Sequence, residues 1–237
     1  MKIECIHLGS HLRSFEIRRL KAMLAFGIPI CFQYVIITAG GMILQSGVNL
    51  QGSIFIGGYT ATNKLYSFLQ CFAMSLGQES CTFVSQNFGA GLYSRVRQGV
   101  TDAVRIVLAM AVLMIGVTFL TRWQTLRIFL DVTEPGGMEA LAIAVRYLTI
   151  MVLCFPILHI LYIFRNVLQS LGVSVWSLAS GFAEFAARVF MSRIVIGWIG
   201  TDALFLSEPA SWFGAMLCVT LPYFYYCKKM MKTELHM

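Results

Sequence analysis

Apolar stretches long enough to cross a bilayer recur along the chain, separated by short segments that carry charged and turn-forming residues. A helix needs about 20 mostly apolar residues to cross the hydrocarbon layer. The pattern therefore predicts six membrane-spanning helices, of which the second and fifth are the least hydrophobic. Their approximate bounds are 26–50, 61–83, 100–120, 141–164, 175–199 and 209–227.

Composition supports the same interpretation. Of the 237 residues, 58% are hydrophobic and 12% are charged, whereas soluble domains average about 25% charged residues. A bilayer accommodates such a surface because the solvent around the helices is itself hydrocarbon. We therefore expect an all-α integral membrane protein. The sequence has no phosphate-binding glycine loop and no HExxH or GxSxG motif, so we expect no enzyme activity, no metal site and no bound cofactor.

The formal charge of +7 predicts membrane topology and not nucleic-acid binding, because many basic residues lie at the ends of apolar stretches. Six spans place both termini on one side, and that side carries most of the Lys and Arg residues, which predicts cytoplasmic termini in the plasma (inner) membrane. The basic residues on that side are Lys2, Arg13, Arg18, Arg19, Lys21, Arg95, Arg97, Arg165, Lys228, Lys229 and Lys232. The opposite side has Arg122, Arg127 and Lys64, the acidic loop residues Asp131, Glu134, Asp202 and Glu208, and a predicted interfacial belt of Trp123, Trp198 and Trp212.

The ends of the chain are expected to lie outside the bilayer. Residues 1–22 lack a continuous apolar core, so we expect a basic cytoplasmic lead-in and not a signal peptide. Residues 229–237 are expected to form a cytoplasmic tail, which leaves residues 23–228 for the six-helix unit.

The fifth span carries a stripe of small and polar residues. The stripe should face the bundle interior or an aqueous cavity, because a charged side chain facing lipid is costly. Its members recur at helical spacing and are Ser177, Gly181, Glu184, Arg188 and Ser192. Glu184 and Arg188 are either an ion pair that fixes helix packing or part of a path for substrate or cations.

Polar faces also occur on the first two spans. In the first span Thr38, Gly41, Gln45 and Asn49 are expected to form a close-packing face. The second span is polar on two sides, formed by Ser75, Glu79, Thr82 and Gln86 and by Asn63, Ser67, Gln70, Met74 and Gly77. The candidate substrate or cation pathway therefore contains Gln45, Asn49, Gln70, Glu79, Glu184 and Arg188. Glu79 could instead lie at the cytoplasmic headgroups, and His159 could relay protons or simply pack.

Several short motifs follow one another along the chain, beginning with FVSQNFGAG at residues 83–91, followed by Arg95. This run resembles the FVSQNxGAG…R signature after the second helix of a lobe of the MATE (multidrug and toxic compound extrusion) transporters. The cytoplasmic loop residues of this motif are Gln86, Asn87, Gly89, Gly91 and Arg95. Glu184 and Arg188 are similar to the family's E-xxx-R pattern, residues 165–172 to its R-xxLQxxG turn, and residues 208–212 to its EPxxW helix entry.

The resemblance implies a fold of twelve helices in two six-helix lobes, with this chain equivalent to the second lobe, helices seven to twelve. It further implies an antiporter that exports drugs or organic cations in exchange for sodium or protons. The substrate, a cationic or amphipathic small molecule, would lie in a cleft shared with a second lobe or with a homodimer mate. The spans 26–50 and 141–164 lack the acidic residues that some sodium-coupled members carry there. The resemblance therefore implies that the coupling chemistry lies mainly outside this chain, with Glu184 the best remaining candidate within it.

Two alternatives stay open from the sequence. The chain could act like the lipid-linked oligosaccharide flippases that share this fold, in which case a groove richer in basic residues is expected. It could also be a non-transporting membrane interaction subunit or an inactive truncated half.

Overall fold

A computed structural model describes residues 17–234 of the chain, with side chains up to residue 231. Within this range all regular elements are helical. They are α1 (Ile17–Asn49), α2 (Ser53–Gly89), α3 (Tyr93–Arg127), α4 (Gly137–Leu153), α5 (Phe155–Ser170), α6 (Ser174–Phe190), a π-helical turn (Met191–Val195), α7 (Ile196–Ile199) and α8 (Asp202–Glu234). Residues 1–16 of the expected lead-in and residues 235–237 of the expected tail lie outside the described range.

The helices form six rods, which cover the six stretches found in the sequence. The fourth rod consists of α4 and α5, which meet at a bend of 50°. The fifth rod runs from α6 through the π turn into α7. Pro156 lies in the first turn of α5, where its missing N–H removes a backbone hydrogen bond at the bend.

The rods differ in how well they suit a membrane. By length and composition, α1, α3 and α8 can each span a bilayer, and the bent α4–α5 pair qualifies as one broken span. Neither α2 nor the α6 rod meets that criterion, and these correspond to the two stretches that are least hydrophobic in sequence. The α6 rod can be less hydrophobic than the other rods because its polar stripe faces the bundle interior and not lipid.

The packing order leaves an opening between the first two helices. The fifth rod packs between α1 and α8, α8 packs on α5, and α2 packs on α3, α4 and α5. Although three residues join α1 to α2, these two helices contact each other only slightly. They therefore flank a cleft, with α5, α6 and α8 behind it.

Aromatic side chains join α2, α4 and α8 at one end of the bundle. The Tyr59 and Tyr147 ring centroids lie 4.7 Å apart, and Phe205 stacks on Tyr147 at 5.3 Å. Trp212 is only 1% exposed, so its expected position in an interfacial belt is wrong. Stacked rings add to the free energy gained by apolar burial, so this cluster ties the three helices together.

Helix α1 packs on the fifth rod and on α8 through small residues spaced seven apart. A Cβ atom added at Gly40 would lie 3.2 Å from the Phe185 Cα of α6, and one added at Gly47 would lie 3.3 Å from the Leu204 side chain of α8. A Cβ at Gly41 would meet nothing within 4 Å. The expected packing face containing Gly41 is therefore wrong. The error follows from choosing the face by polarity, because neighbouring residues on a helix point about 100° apart.

Candidate functional site

Four charged side chains from three helices meet in the interior of the bundle. Arg165 of α5 donates from Nη2 to Oε1 of Glu184, and from Nε to Ser180 Oγ at 3.1 Å. Arg188 Nη2 donates to Glu184 Oε2 at 3.2 Å and to Glu208 Oε2 at 2.9 Å. Arg188 Nε donates to Glu208 Oε1 at 3.1 Å. We call Arg165, Glu184, Arg188 and Glu208 the buried ion network.

The buried ion network is charge-balanced, with two guanidinium groups and two carboxylates. Arg165, Glu184 and Arg188 are 7%, 3% and 5% exposed. Charges removed from water are tolerated only when they are paired and hydrogen-bonded. One donor, Nη1 of Arg188, has no hydrogen-bond partner within the part of the chain that the structure describes.

The predicted stripe of the fifth span builds one side of this network. All five of its residues are buried in the bundle, as the sequence indicates. The π turn that follows α6 carries Ser192, whose Oγ donates to the Arg188 carbonyl oxygen at 2.7 Å. A π turn inserts one extra residue per turn and is often found at functional sites. Ser192 lies on the same inward face as Arg188.

A polar cavity of about 90 Å³ adjoins the network and opens into the cleft between α1 and α2. Three residues of the network, Arg165, Glu184 and Arg188, line this cavity together with Gln70 and Trp212. A buried water needs at least about 10–15 Å³ of such space, so the cavity has room for several waters. Pockets for drug-sized ligands measure about 300–1,000 Å³, so this cavity holds no such molecule by itself.

Neutral polar residues from α1, α2 and α5 complete the cavity wall. Gln70 Nε2 donates to the Tyr162 hydroxyl at 2.7 Å. Gln169 Nε2 donates to Gln33 Oε1 at 3.3 Å, which links α5 to α1. These amides place hydrogen-bond donors and acceptors beside the charged residues, an arrangement suited to polar or charged groups of a ligand.

The structure brings together only part of the predicted pathway. Glu184, Arg188 and Gln70 line the cavity. Gln45 donates to Asn49 at 2.9 Å near the end of α1, and neither lines the cavity. Glu79 is exposed on α2 and borders a separate apolar groove against α3.

Sequence reasoning missed the other two members of the network. Arg165, counted as a cytoplasmic topology signal, is buried and paired with Glu184. Glu208, expected in an exterior loop, lies inside α8 with its side chain 13% exposed against Arg188. The loop expected at Glu208 is therefore wrong, and the burial of Arg165 was not predicted, because residue position relative to apolar stretches does not show which way a side chain points. The R-xxLQxxG and EPxxW motifs contained both residues and were the available signal.

The FVSQNFGAG motif forms a helix end. Gly91 has φ +73°, the Gly91 N–H donates to the Phe88 carbonyl, and the Leu92 N–H donates to the Asn87 carbonyl at 2.9 Å. This is the Schellman arrangement, which favours glycine at the left-handed position. Asn87 is buried, and its side chain donates to the Phe83 carbonyl at 2.8 Å. Gln86, Gly89 and Arg95 are exposed.

The histidine in the fourth rod lies apart from the cavity. His159 is 1% exposed, and its Nδ1 lies 2.9 Å from the Phe155 carbonyl oxygen. Its Nε2 has no partner within residues 17–234. This local contact is what a packing role requires, and His159 is not among the residues that line the cavity.

The fold and the buried ion network define a helical membrane protein with a small charged cavity at the back of a cleft. The MatE family model matches residues 29–204. The chain therefore belongs to the MatE family, and the resemblance seen in its motifs is confirmed.

Two curated relatives come from Bacillus subtilis (strain 168). The chain is 26% identical to the probable multidrug resistance protein YpnP over 211 residues, which is 89% of this chain and 46% of YpnP. It is 24% identical to the probable multidrug resistance protein YoeA over 219 residues, which is 91% of this chain and 46% of YoeA. The chain thus spans less than half the length of the curated relatives it matches.

Solved structures give the same fold. An outward-facing multidrug resistance MATE family transporter of the MOP superfamily superposes with a TM-score of 0.78 at 13% identity, covering 88% of this chain and 45% of that one. An inward-facing one gives 0.74 at 12% identity, covering 93% and 50%. A MOP superfamily transporter from Pyrococcus furiosus, described as having a binding pocket of reverse polarity, gives 0.76 at 13% identity, covering 84% and 43%. The predicted fold, one lobe of a MATE-type transporter, is confirmed.

Proposed function

We propose that this chain is one lobe of a membrane antiporter that exports drugs or organic cations in exchange for protons or sodium. The observation that carries the proposal is the buried ion network at the back of the α1–α2 cleft, in a chain that belongs to the MatE family. A buried network of this kind is costly to maintain in a membrane helix bundle and commonly marks an ion or substrate path.

A second six-helix lobe is part of the proposal. The cavity of about 90 Å³ provides one wall of a binding site but too little space for a drug. In the most apolar stretch of α1 only 6% of the residues are buried. A large apolar surface beside the cleft is therefore open to lipid or to another lobe. The second lobe could belong to the same polypeptide, to another chain, or to a second copy in a two-fold pair.

Glu184 is the proposed coupling residue. It accepts hydrogen bonds from both Arg165 and Arg188, so it joins α5 to α6, and through Arg188 to Glu208 of α8. Protonation of Glu184 would remove the charge that both guanidinium groups bind, and would let these helices shift relative to one another. A sodium ion beside Glu184 would meet the same two positive groups, and we take the proton as the coupling ion to test first.

The test uses the intact assembly, purified from its source membrane through a tag on this chain together with whatever supplies the second lobe. After reconstitution into vesicles, movement of ethidium is followed under an imposed proton gradient and, separately, a sodium gradient. We expect the proton gradient to drive ethidium transport. Absence of gradient-driven movement in vesicles that contain both lobes would refute the antiporter proposal.

A pair of variants tests the role of Glu184. Glu184→Gln should lower the transport rate per reconstituted protein, because the amide cannot alternate between a charged and a neutral form. Glu139→Gln removes an exposed carboxylate from the first turn of α4 and is the matched control. Wild-type transport by Glu184→Gln would reduce Glu184 to a packing role.

The remaining alternatives give different results in the same vesicles. A flippase would move a fluorescent lipid-linked sugar, and the equal number of acidic and basic groups in the network does not favour an anionic lipid pyrophosphate there. A non-transporting subunit would show no thermal stabilisation by ethidium, since only a ligand that binds the folded state raises its stability.

A further inference from the structure

A further groove, distinct from the polar cavity, lies between the beginning of α3 and the end of α8. Its volume is about 620 Å³, several times that of the polar cavity. It shares no lining residue with that cavity. The beginning of α3 and the end of α8 border it, so it lies at the end of the bundle expected to face the cytoplasm.

The mouth of this groove is basic. Arg97 and Lys228 line it, both are exposed, and neither forms an ion pair within the described residues 17–234. Arg105 also lines the groove, about two helical turns further along α3. Its guanidinium is paired with Asp102 at 2.9 Å, so the net positive charge comes from Arg97 and Lys228.

The deeper part of the groove is aromatic. Phe164 and Tyr223 form its floor, are 7% and 4% exposed, and have ring centroids 4.7 Å apart. Phe224 is 60% exposed, with its ring centroid 5.5 Å from that of Tyr223. The groove thus joins two cations that form no ion pair among the described residues to an apolar, aromatic floor. This combination matches an amphipathic anion with a long hydrocarbon part.

We propose that the α3–α8 groove binds one anionic phospholipid. Its phosphate interacts with Arg97 and Lys228, and an acyl chain lies along Phe164, Tyr223 and Phe224. Basic pockets between helices near a cytoplasmic surface bind anionic headgroups because each nearby Lys or Arg adds to the attraction. This site is independent of the transport proposal, since it requires neither the buried ion network nor a second lobe.

The experiment compares retention of phosphatidylglycerol and phosphatidylcholine with the same acyl chains, measured by native mass spectrometry of the detergent-extracted protein. We expect one phosphatidylglycerol to be retained preferentially. Arg97→Gln and Lys228→Gln should each weaken its binding roughly fivefold, the effect of one lost surface cation. Arg97→Lys keeps the charge and should retain most of the binding.

The control variant is Arg18→Gln, which removes an exposed basic residue at the same end of the bundle, in the first turn of α1. It should leave phosphatidylglycerol retention unchanged. Three results would each overturn the proposal. These are equal retention of the two lipids, the same retention in Arg97→Gln as in Arg18→Gln, and displacement of the lipid by excess inorganic phosphate, which would indicate a site for free anions.

Discussion

Removing the charge of Glu184 should destabilise the bundle through Arg165. In Glu184→Gln the Arg165 guanidinium, 7% exposed, loses the only carboxylate partner that it has among residues 17–231, whereas Arg188 keeps Glu208 at 2.9 Å. Breaking a buried ion pair by removing one member costs about 3–5 kcal/mol, because the other charge is left uncompensated. For a chain of this size 1 kcal/mol lowers the unfolding midpoint by about 2–4 °C, so the expected loss is about 6–20 °C.

The double variant Arg165→Gln with Glu184→Gln separates the loss of the Glu184 carboxylate from the effect of leaving the Arg165 charge uncompensated. It removes both charges of one pair and leaves Arg188 bound to Glu208, so the network stays neutral. We expect it to recover most of the stability that Glu184→Gln loses, since removing both members of the pair leaves no uncompensated buried charge.

The assay is thermal unfolding of the detergent-extracted assembly, followed by tryptophan fluorescence. Trp212 is a suitable reporter because it is 1% exposed and lines the cavity beside Arg188. An unchanged midpoint for Glu184→Gln, or a double variant as unstable as the single one, would refute the assignment of Arg165 as the residue left unpaired.

Two further predictions concern glycines, each with a neighbouring glycine as control, and both are measured as unfolding midpoints. Gly40→Val should destabilise the protein by about 1–3 kcal/mol, because its Cβ would lie 3.2 Å from the Phe185 backbone, whereas Gly41→Val meets open space. Gly91→Ala should cost about 1–2 kcal/mol, because φ there is +73°, whereas Gly89→Ala lies in the last turn of α2 and should be neutral or stabilising.

Each glycine prediction is contradicted by a specific result for its control variant. If Gly41→Val proves as harmful as Gly40→Val, α1 packs on α6 through a different face. If Gly91→Ala is tolerated as well as Gly89→Ala, the α2–α3 turn does not depend on a left-handed residue.

The sequence allows the helices to be predicted because membrane helices must be long and apolar to satisfy their backbone groups internally. The same periodicity placed the stripe of the fifth span on one inward face, and burial of Glu184 and Arg188 confirms that face. Interruptions are also visible in sequence, since Pro156 adjoins the bend between α4 and α5.

The ion-pair partners of the α6 residues could not be predicted in the same way. Arg165 and Glu208 lie near the ends of apolar stretches, where a charged residue normally reaches water, yet both meet residues of α6. Finding them requires knowing which helices pack together, a long-range property that local hydrophobicity does not contain. The packing face of α1 was missed for a related reason, because small size at Gly40 matters more there than polarity at Gln45.

The most direct test of the central claim, that this chain is one lobe of a two-lobe transporter, is the native mass of the particle that carries it. The particle is extracted from its source membrane in mild detergent and weighed by native mass spectrometry. A denaturing blot with an antibody to residues 228–237 shows whether the second lobe is covalently attached. We predict a particle of at least about twice the 26.5 kDa of this chain. A particle of 26.5 kDa, with no second lobe bound, would contradict the account.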